Sequence, residues 1–171
     1  MKKTLVIVGH QNYEKSVHNK KLAESLKDLP NITVHILKEN FDVAAEQKLL
    51  EEHDNIVIQF PFTWYNLSPL FKSWFDKIFV PGFAYGEFGS KLEGKTFAIV
   101  NTTASLESAY TREGHNKFTV KELLSPTIAT IAFVRGNLKG IFTVHGCMPN
   151  GISAEDLTKK VNEYKEFVAN L

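Results

Sequence analysis

Three groups of residues in this chain have the composition of a binding or catalytic site. The first is Phe62-Thr63-Trp64-Tyr65, which follows Pro61 directly after the apolar run Ile56 to Phe60. A loop leaving a central strand normally faces water, so its aromatic side chains expose apolar area unless a flat partner covers them. The backbone N–H groups of Phe62, Thr63 and Trp64 are expected to lie beyond any strand partner and to need acceptors along the edge of that flat partner. The competing arrangement packs these aromatics against Phe71, Trp74 and Phe75.

The second group is the polar stretch after Gly9, in which His10, Ser16, Val17, His18 and Asn19 offer imidazole, hydroxyl, amide and backbone N–H groups. It lacks the glycine repeat of a dinucleotide fold and the Gly-Lys-Ser/Thr of a P-loop. Free N–H groups at a helix start suit one terminal phosphate, while Ser16 acting only as a helix cap is the simpler alternative. The third group lies between Thr102 and Asn116 and carries Glu107, Tyr110, Arg112 and His115. A flavin uses all three kinds of group. It has a flat ring and a terminal phosphate, and hydride arriving at N5 places negative charge near N1 and the C2 carbonyl, where a phenol or imidazole donor lowers the barrier.

These groups need elements to position them, and the pattern supplies five strands. Thr4 to Val8, Ile32 to Leu37, Ile56 to Phe60, Thr96 to Val100 and a last strand centred on Phe142 to Val144 alternate with helical segments, the signature of a parallel βαβ sheet. The helices are expected from Ser16 to about Leu29, Phe41 to His53, Ser68-Pro69 to Phe79, Phe118 to Val134 with a kink or restart at Pro126, and Ser153 to Leu171. Between Val80 and Gly94 runs a long glycine-rich aromatic loop, a candidate lid or subunit contact. The expected fold is α/β, a flavodoxin-like three-layer sandwich whose five-stranded parallel sheet has the order 2-1-3-4-5. One domain is expected to span residues 1–171. Right-handed crossovers then gather the loops after strands one, three and four at one edge.

Composition narrows the partners. The chain has 171 residues and a formal net charge of +1, which gives no electrostatic reason to expect nucleic acid or an anionic membrane. Its single cysteine, Cys147, excludes an intrachain disulfide and a thiolate zinc cluster, and no metal site is expected. The apolar run Leu5 to Val8 is too short for a signal peptide or a membrane span, so a cytoplasmic protein is expected. The first and third strands end in Gly9-His10 and Phe60-Pro61, without the acids of a phosphoacceptor receiver domain.

Read together, these segments resemble the flavodoxin-like NAD(P)H:quinone oxidoreductase family, which includes DT-diaphorase, modulator of drug activity B and the ancillary flavoproteins of potassium efflux. His10, Ser16 and Asn19 are similar to its phosphate loop. Gln59 to Tyr65 with Pro69, Lys72, Trp74, Asp76 and Phe79 resembles its most specific signature, Phe83-Ala84-Tyr85-Gly86 its aromatic active-site loop, and Thr102-Thr103 with Glu107, Ser108, Tyr110 and His115 its flavin-edge loop. The resemblance implies that Ser16 to Asn19 hold phosphate and that Pro61, Phe62, Thr63, Trp64, Tyr65, Thr102, Thr103, Ala104 and Ser105 hold the ring and ribityl chain. It implies that Tyr110 and His115 assist hydride transfer, with Phe83 and Tyr85 toward the substrate. Ala104 and Ser105 stand where the family has two glycines.

The resemblance further implies FMN, with FAD possible, NAD(P)H as donor and a quinone-like acceptor in a ping-pong cycle. A homodimer with the site near its interface also follows. A flavin-bearing regulatory subunit of a membrane transporter is the alternative.

Overall fold

The first strand, β1 (Thr4–Val8), is buried along its whole length, as a run of apolar residues inside a parallel sheet must be. Four more strands join it in the computed structural model, which describes residues 2–171: β2 (Ile32–Ile36), β3 (Asn55–Pro61), β4 (Thr96–Thr102) and β5 (Asn137–Val144). All neighbours are parallel and the order is β2-β1-β3-β4-β5. The expected order is therefore observed, and the reversal of winding falls between β1 and β3.

Alternation along the strands divides the interior. Val6, Val8, Val57, Ala98 and Val100 face α1 (His18–Glu24) and the final helix, α6 (Ala154–Ala169), and meet Leu22, Leu26, Leu157 and Tyr164. Leu5, Ile7, Ile56, Ile58, Phe60, Phe97 and Ile99 face the opposite layer of α2 (Val43–Glu51), α3 (Pro69–Ile78), α4 (Val120–Leu123) and α5 (Ser125–Phe133). Each large side chain buried this way stabilises the sandwich by about 1.5–3 kcal/mol relative to leaving it in water. Among the described residues no helix is long and apolar enough to cross a membrane.

The expected caps hold at Ser68, whose hydroxyl accepts from the Phe71 N–H, and at Ser153, which accepts from Asp156 N–H. Ser16 does not cap a helix. A 3-10 turn over Tyr13–Lys15 intervenes, Ser16 is extended, and α1 opens at His18 with no side-chain cap. The segment from Phe118 to Val134, expected to kink or restart at Pro126, does restart there, as α4 and then α5. Thr119 and Glu122 close a capping box on α4, and Pro126 sits in the first turn of α5, where its missing N–H is harmless. Six α-helices result.

Two strands run longer than expected. β4 continues through Asn101 and Thr102 because those residues pair with Phe60 and Pro61 on one side and with Thr143 and Val144 on the other. The residues then leave the sheet together, so their side chains are placed by strand geometry.

Candidate functional site

β1 ends at Val8, and the N–H of the next residue, Gly9, donates to the Gln59 carbonyl at 2.8 Å. A Cβ there would stand 2.0 Å from the Phe71 ring, so only glycine lets α3 press against this backbone. Beyond it His10 Nδ1 accepts the Asn12 N–H at 3.1 Å, and burial lowers the imidazole pKa. At the start of α1 the backbone N–H groups of Val17, His18 and Asn19 have no acceptor among the described residues.

These groups border a cavity of about 460 Å³ lined by Lys15, Ser16, Pro61, Thr102 and the segment Cys147-Met148-Pro149. The ends of β1, β3 and β4 therefore converge with a fourth segment, after β5, that sequence reasoning missed. The Asn19 side chain points inward. Its Nδ2 donates to Thr102 Oγ1 at 2.8 Å, while Gln59 Nε2 donates to the Asn19 carbonyl at 2.9 Å and Tyr164 Oη donates to Gln59 Oε1 at 2.7 Å. This buried chain fixes α1 against β3, β4 and α6.

The aromatic loop is a two-residue turn. Thr63 N–H donates to Asn66 O and Asn66 N–H returns to Thr63 O, leaving Trp64 (φ 49°) and Tyr65 (φ 64°) between them in left-handed backbone. Positive φ at both central residues is a conformation that asparagine and glycine usually occupy, and each non-glycine residue there costs about 1–2 kcal/mol. The strain aims the Trp64 ring outward, 90% exposed. The alternative of Trp64 packing into the core is excluded.

The expectation of three free N–H groups is corrected. Phe62 N–H donates to Thr102 O at 2.9 Å and Thr63 N–H is held by Asn66, so of the three only the Trp64 N–H lacks a partner among the described residues. Phe62 itself packs inward against Phe60 and Tyr110, with centroids 6.2 and 6.3 Å away.

Tyr110 is 8% exposed and lies between Phe62 and His145, whose ring centroid is 5.4 Å away. Burial raises the phenol pKa, opposed by the nearby side chains of Thr103, Ser105 and Asn116. Tyr65 Oη donates to Asn116 Oδ1 at 3.2 Å, and Asn116 Nδ2 is buried with no partner. His115, expected beside Tyr110, is exposed and makes no hydrogen bond or ring contact. His145 is the imidazole at this place, its Nδ1 2.9 Å from Thr103 Oγ1. Its position at the C-terminal end of β5 was the available signal, since ligand sites in such sheets gather at those ends.

Ala104 and Ser105 are accommodated without left-handed backbone, so the glycines they replace are not demanded by conformation here. Phe83 turns into the core beside Ala84 and Leu92. Tyr85 is half-buried with its ring 5.3 Å from that of Phe133, and lines a second cavity of about 460 Å³ between α3 and α5. Within one chain, then, Phe83 and Tyr85 do not join the cavity at α1.

A doubly wound parallel sheet with loop-built concavities at its switch point and an outward aromatic turn defines the flavodoxin-like class of α/β proteins. The family model described as flavodoxin-like fold matches residues 2–168, and the chain belongs to this family, among whose members are oxidoreductases. It is 38% identical over 174 residues to the uncharacterized NAD(P)H oxidoreductase YdeQ of Bacillus subtilis, covering 99% of this chain and 87% of that one. It is also 38% identical to the glutathione-regulated potassium-efflux system ancillary protein KefG of Pectobacterium carotovorum, covering 98% and 93%. The crystal structure of general stress protein 14 from Treponema denticola in complex with FMN superposes with a TM-score of 0.91 at 30% identity, covering 98% of each chain.

Proposed function

We propose that this chain is a flavin-dependent NAD(P)H oxidoreductase that passes hydride through FMN to a quinone or similar electrophile in a ping-pong cycle. The observation that carries the reading is the convergence of unpartnered donors. The N–H groups of Val17, His18 and Asn19 border the cavity at the C-terminal ends of β1, β3 and β4, while the Trp64 N–H and the Asn116 amide lie on the loops that follow β3 and β4. Buried or orphaned donors need acceptors, and a phosphate plus a polar ring edge supply them. Ser16 to Asn19 would hold the phosphate, Pro61 to Tyr65 the ring, and Thr102 to Ser105 the ribityl side. A bound flavin would supply reversible hydride acceptance. Burial keeps the Tyr110 phenol protonated and therefore a donor at the ring edge. The FMN complex of the Treponema relative and the name of YdeQ support the cofactor and the donor.

The visible spectrum of the purified protein, and its response to added FMN and FAD, tests this reading. A colourless protein that takes up neither would end it. Initial rates with NADH and NADPH against a quinone panel then test acceptor and cycle, parallel double-reciprocal lines being the expected result.

A homodimer is part of the proposal. Phe133, beside Tyr85 in its cavity, is 65% exposed and Phe88, three residues after Tyr85, is 81% exposed, and a second copy covering them would bring Tyr85 toward a site in its partner. Light scattering measures this directly.

The likeness to KefG across nearly the whole chain favours a second reading, a flavin-bearing subunit that binds a membrane transporter. Co-purification with a potassium-efflux protein, lost on removal of that transporter, would select it.

A further inference from the structure

We propose that the imidazole serving Tyr110 is His145, as a positioning residue that holds the Thr103 hydroxyl through an Nδ1–H and leaves Nε2 as the atom at which protonation reaches the site. This rests on the reading of Tyr110 as the donor at the flavin edge.

The number of hydrogens available at Thr103 fixes the tautomer of His145. Thr103 Oγ1 is 2.9 Å from Ser105 O and 2.9 Å from His145 Nδ1. A hydroxyl carries one hydrogen, and a carbonyl can only accept. Both contacts are hydrogen bonds only if the hydroxyl donates to Ser105 and His145 donates from Nδ1. The other tautomer makes one bond fewer in a half-buried place, where each bond forgone carries a cost. With Nδ1 protonated, the neutral ring keeps a lone pair on Nε2, and no group among the described residues occupies it. Protonation at Nε2 therefore adds charge beside the Tyr110 ring without breaking the Thr103 bond.

The surroundings make that charge count. His145, Tyr110, Glu107, Thr119, Lys121 and Lys160 line one cavity of about 590 Å³. Burial lowers the His145 pKa from its ordinary value near 6.5, Glu107 raises it and Lys160 lowers it. Thr103 in turn is bound into the sheet, its N–H donating to Val144 O and its carbonyl accepting from Cys147 N–H. His145, Thr103 and Tyr110 thus form one rigid group across the ends of β4 and β5, whereas His115 stands apart in solvent.

The test compares His145→Asn, which can still donate to Thr103 but cannot titrate, with His145→Phe, His115→Gln and Tyr110→Phe. Imidazole nitrogen NMR of the unloaded full-length protein should give the Nδ1–H tautomer for His145, and the Nε2–H tautomer would overturn the proposal. Tyrosine ring-carbon NMR should show a Tyr110 resonance that moves as His145 titrates, below the ordinary imidazole value because burial lowers its pKa. That movement should vanish in His145→Asn and persist in His115→Gln. In the loaded protein, flavin reduction should lose the pH dependence that His145 confers in His145→Asn, and His145→Phe should also weaken FMN retention. A Tyr110 resonance and a reduction profile unchanged in His145→Asn would overturn the assignment. Tyr110→Phe separates the two ideas. If it leaves reduction unchanged, the donor reading of Tyr110 falls, while the NMR coupling still decides whether His145 is its partner.

Discussion

Trp64 and Trp74, ten residues apart, occupy opposite environments. The first is 90% exposed in a left-handed turn, while the second is fully buried with Nε1 donating to Glu46 Oε2 at 2.9 Å. They are the only two tryptophans, so emission separates into a red, solvent-like component and a blue, buried one. FMN stacking on the turn should quench the red component alone. In Trp64→Phe that component and its quenching should both be absent, and quenching confined to the blue component would move the flavin away from this loop.

Removing the hydroxyl of Tyr164 leaves Gln59 Oε1 buried with no donor. Tyr164→Phe should therefore destabilise the fold by about 1–3 kcal/mol, read by denaturant unfolding. It should also weaken FMN binding, since Gln59 holds Asn19 at the head of α1.

Gly9→Ala drives a methyl group into the Phe71 ring. Overpacking of this kind costs about 1–3 kcal/mol, and a lowered melting temperature with intact secondary structure is expected. A variant as stable as the parent would show that Phe71 has room to move.

Acid should destabilise the protein through its histidines. Burial lowers the pKa values of His10, His18 and His145, with Lys21 lowering His18 further. The unfolded chain then binds more protons than the folded one, so the stability these groups contribute is present above about pH 6.5 and is lost as pH falls through their folded values. Unfolding midpoints measured downward from neutral pH should fall, and His145→Asn should flatten the slope.

Alkali acts through groups held neutral. Burial pushes the Cys147 thiol up to about 12 from its ordinary value near 9.0, and it raises the Tyr164 phenol as well. Their contribution is full below the unfolded values and is lost as pH rises through the folded ones. Cys147 should react slowly with a disulfide reagent at neutral pH, and more slowly still with FMN bound, because it borders the cavity at α1. Rapid labelling in the loaded protein would separate the two sites.

The sheet was legible because its signals are local. Leu5 to Val8 and Ile56 to Phe60 are continuous apolar runs, and Ser68-Pro69 and Ser153-Ala154-Glu155-Asp156 announce helix starts in their own residues. The site was legible only as a set of loops. Whether the Phe62 N–H is free depends on Thr102, forty residues on, and sequence shows no such pairing. His115 and His145 follow Tyr110 at different distances, but the one farther along the chain is the one that β5 returns to it. Phe83 reads as a loop aromatic until the turn around Tyr85 folds it inward.

The hydrogen-bonded chain from Tyr164 to Thr102 has a consequence for chain fragments. Gln59 lies 105 residues ahead of its partner Tyr164, and through Gln59 that partner also steadies Asn19 at the mouth of the cavity. α6 follows every strand in chain order, so until it packs, the residues at the head of α1 lack this anchor. A fragment that stops before α6 should bind FMN more weakly than the full chain even where its strands pair.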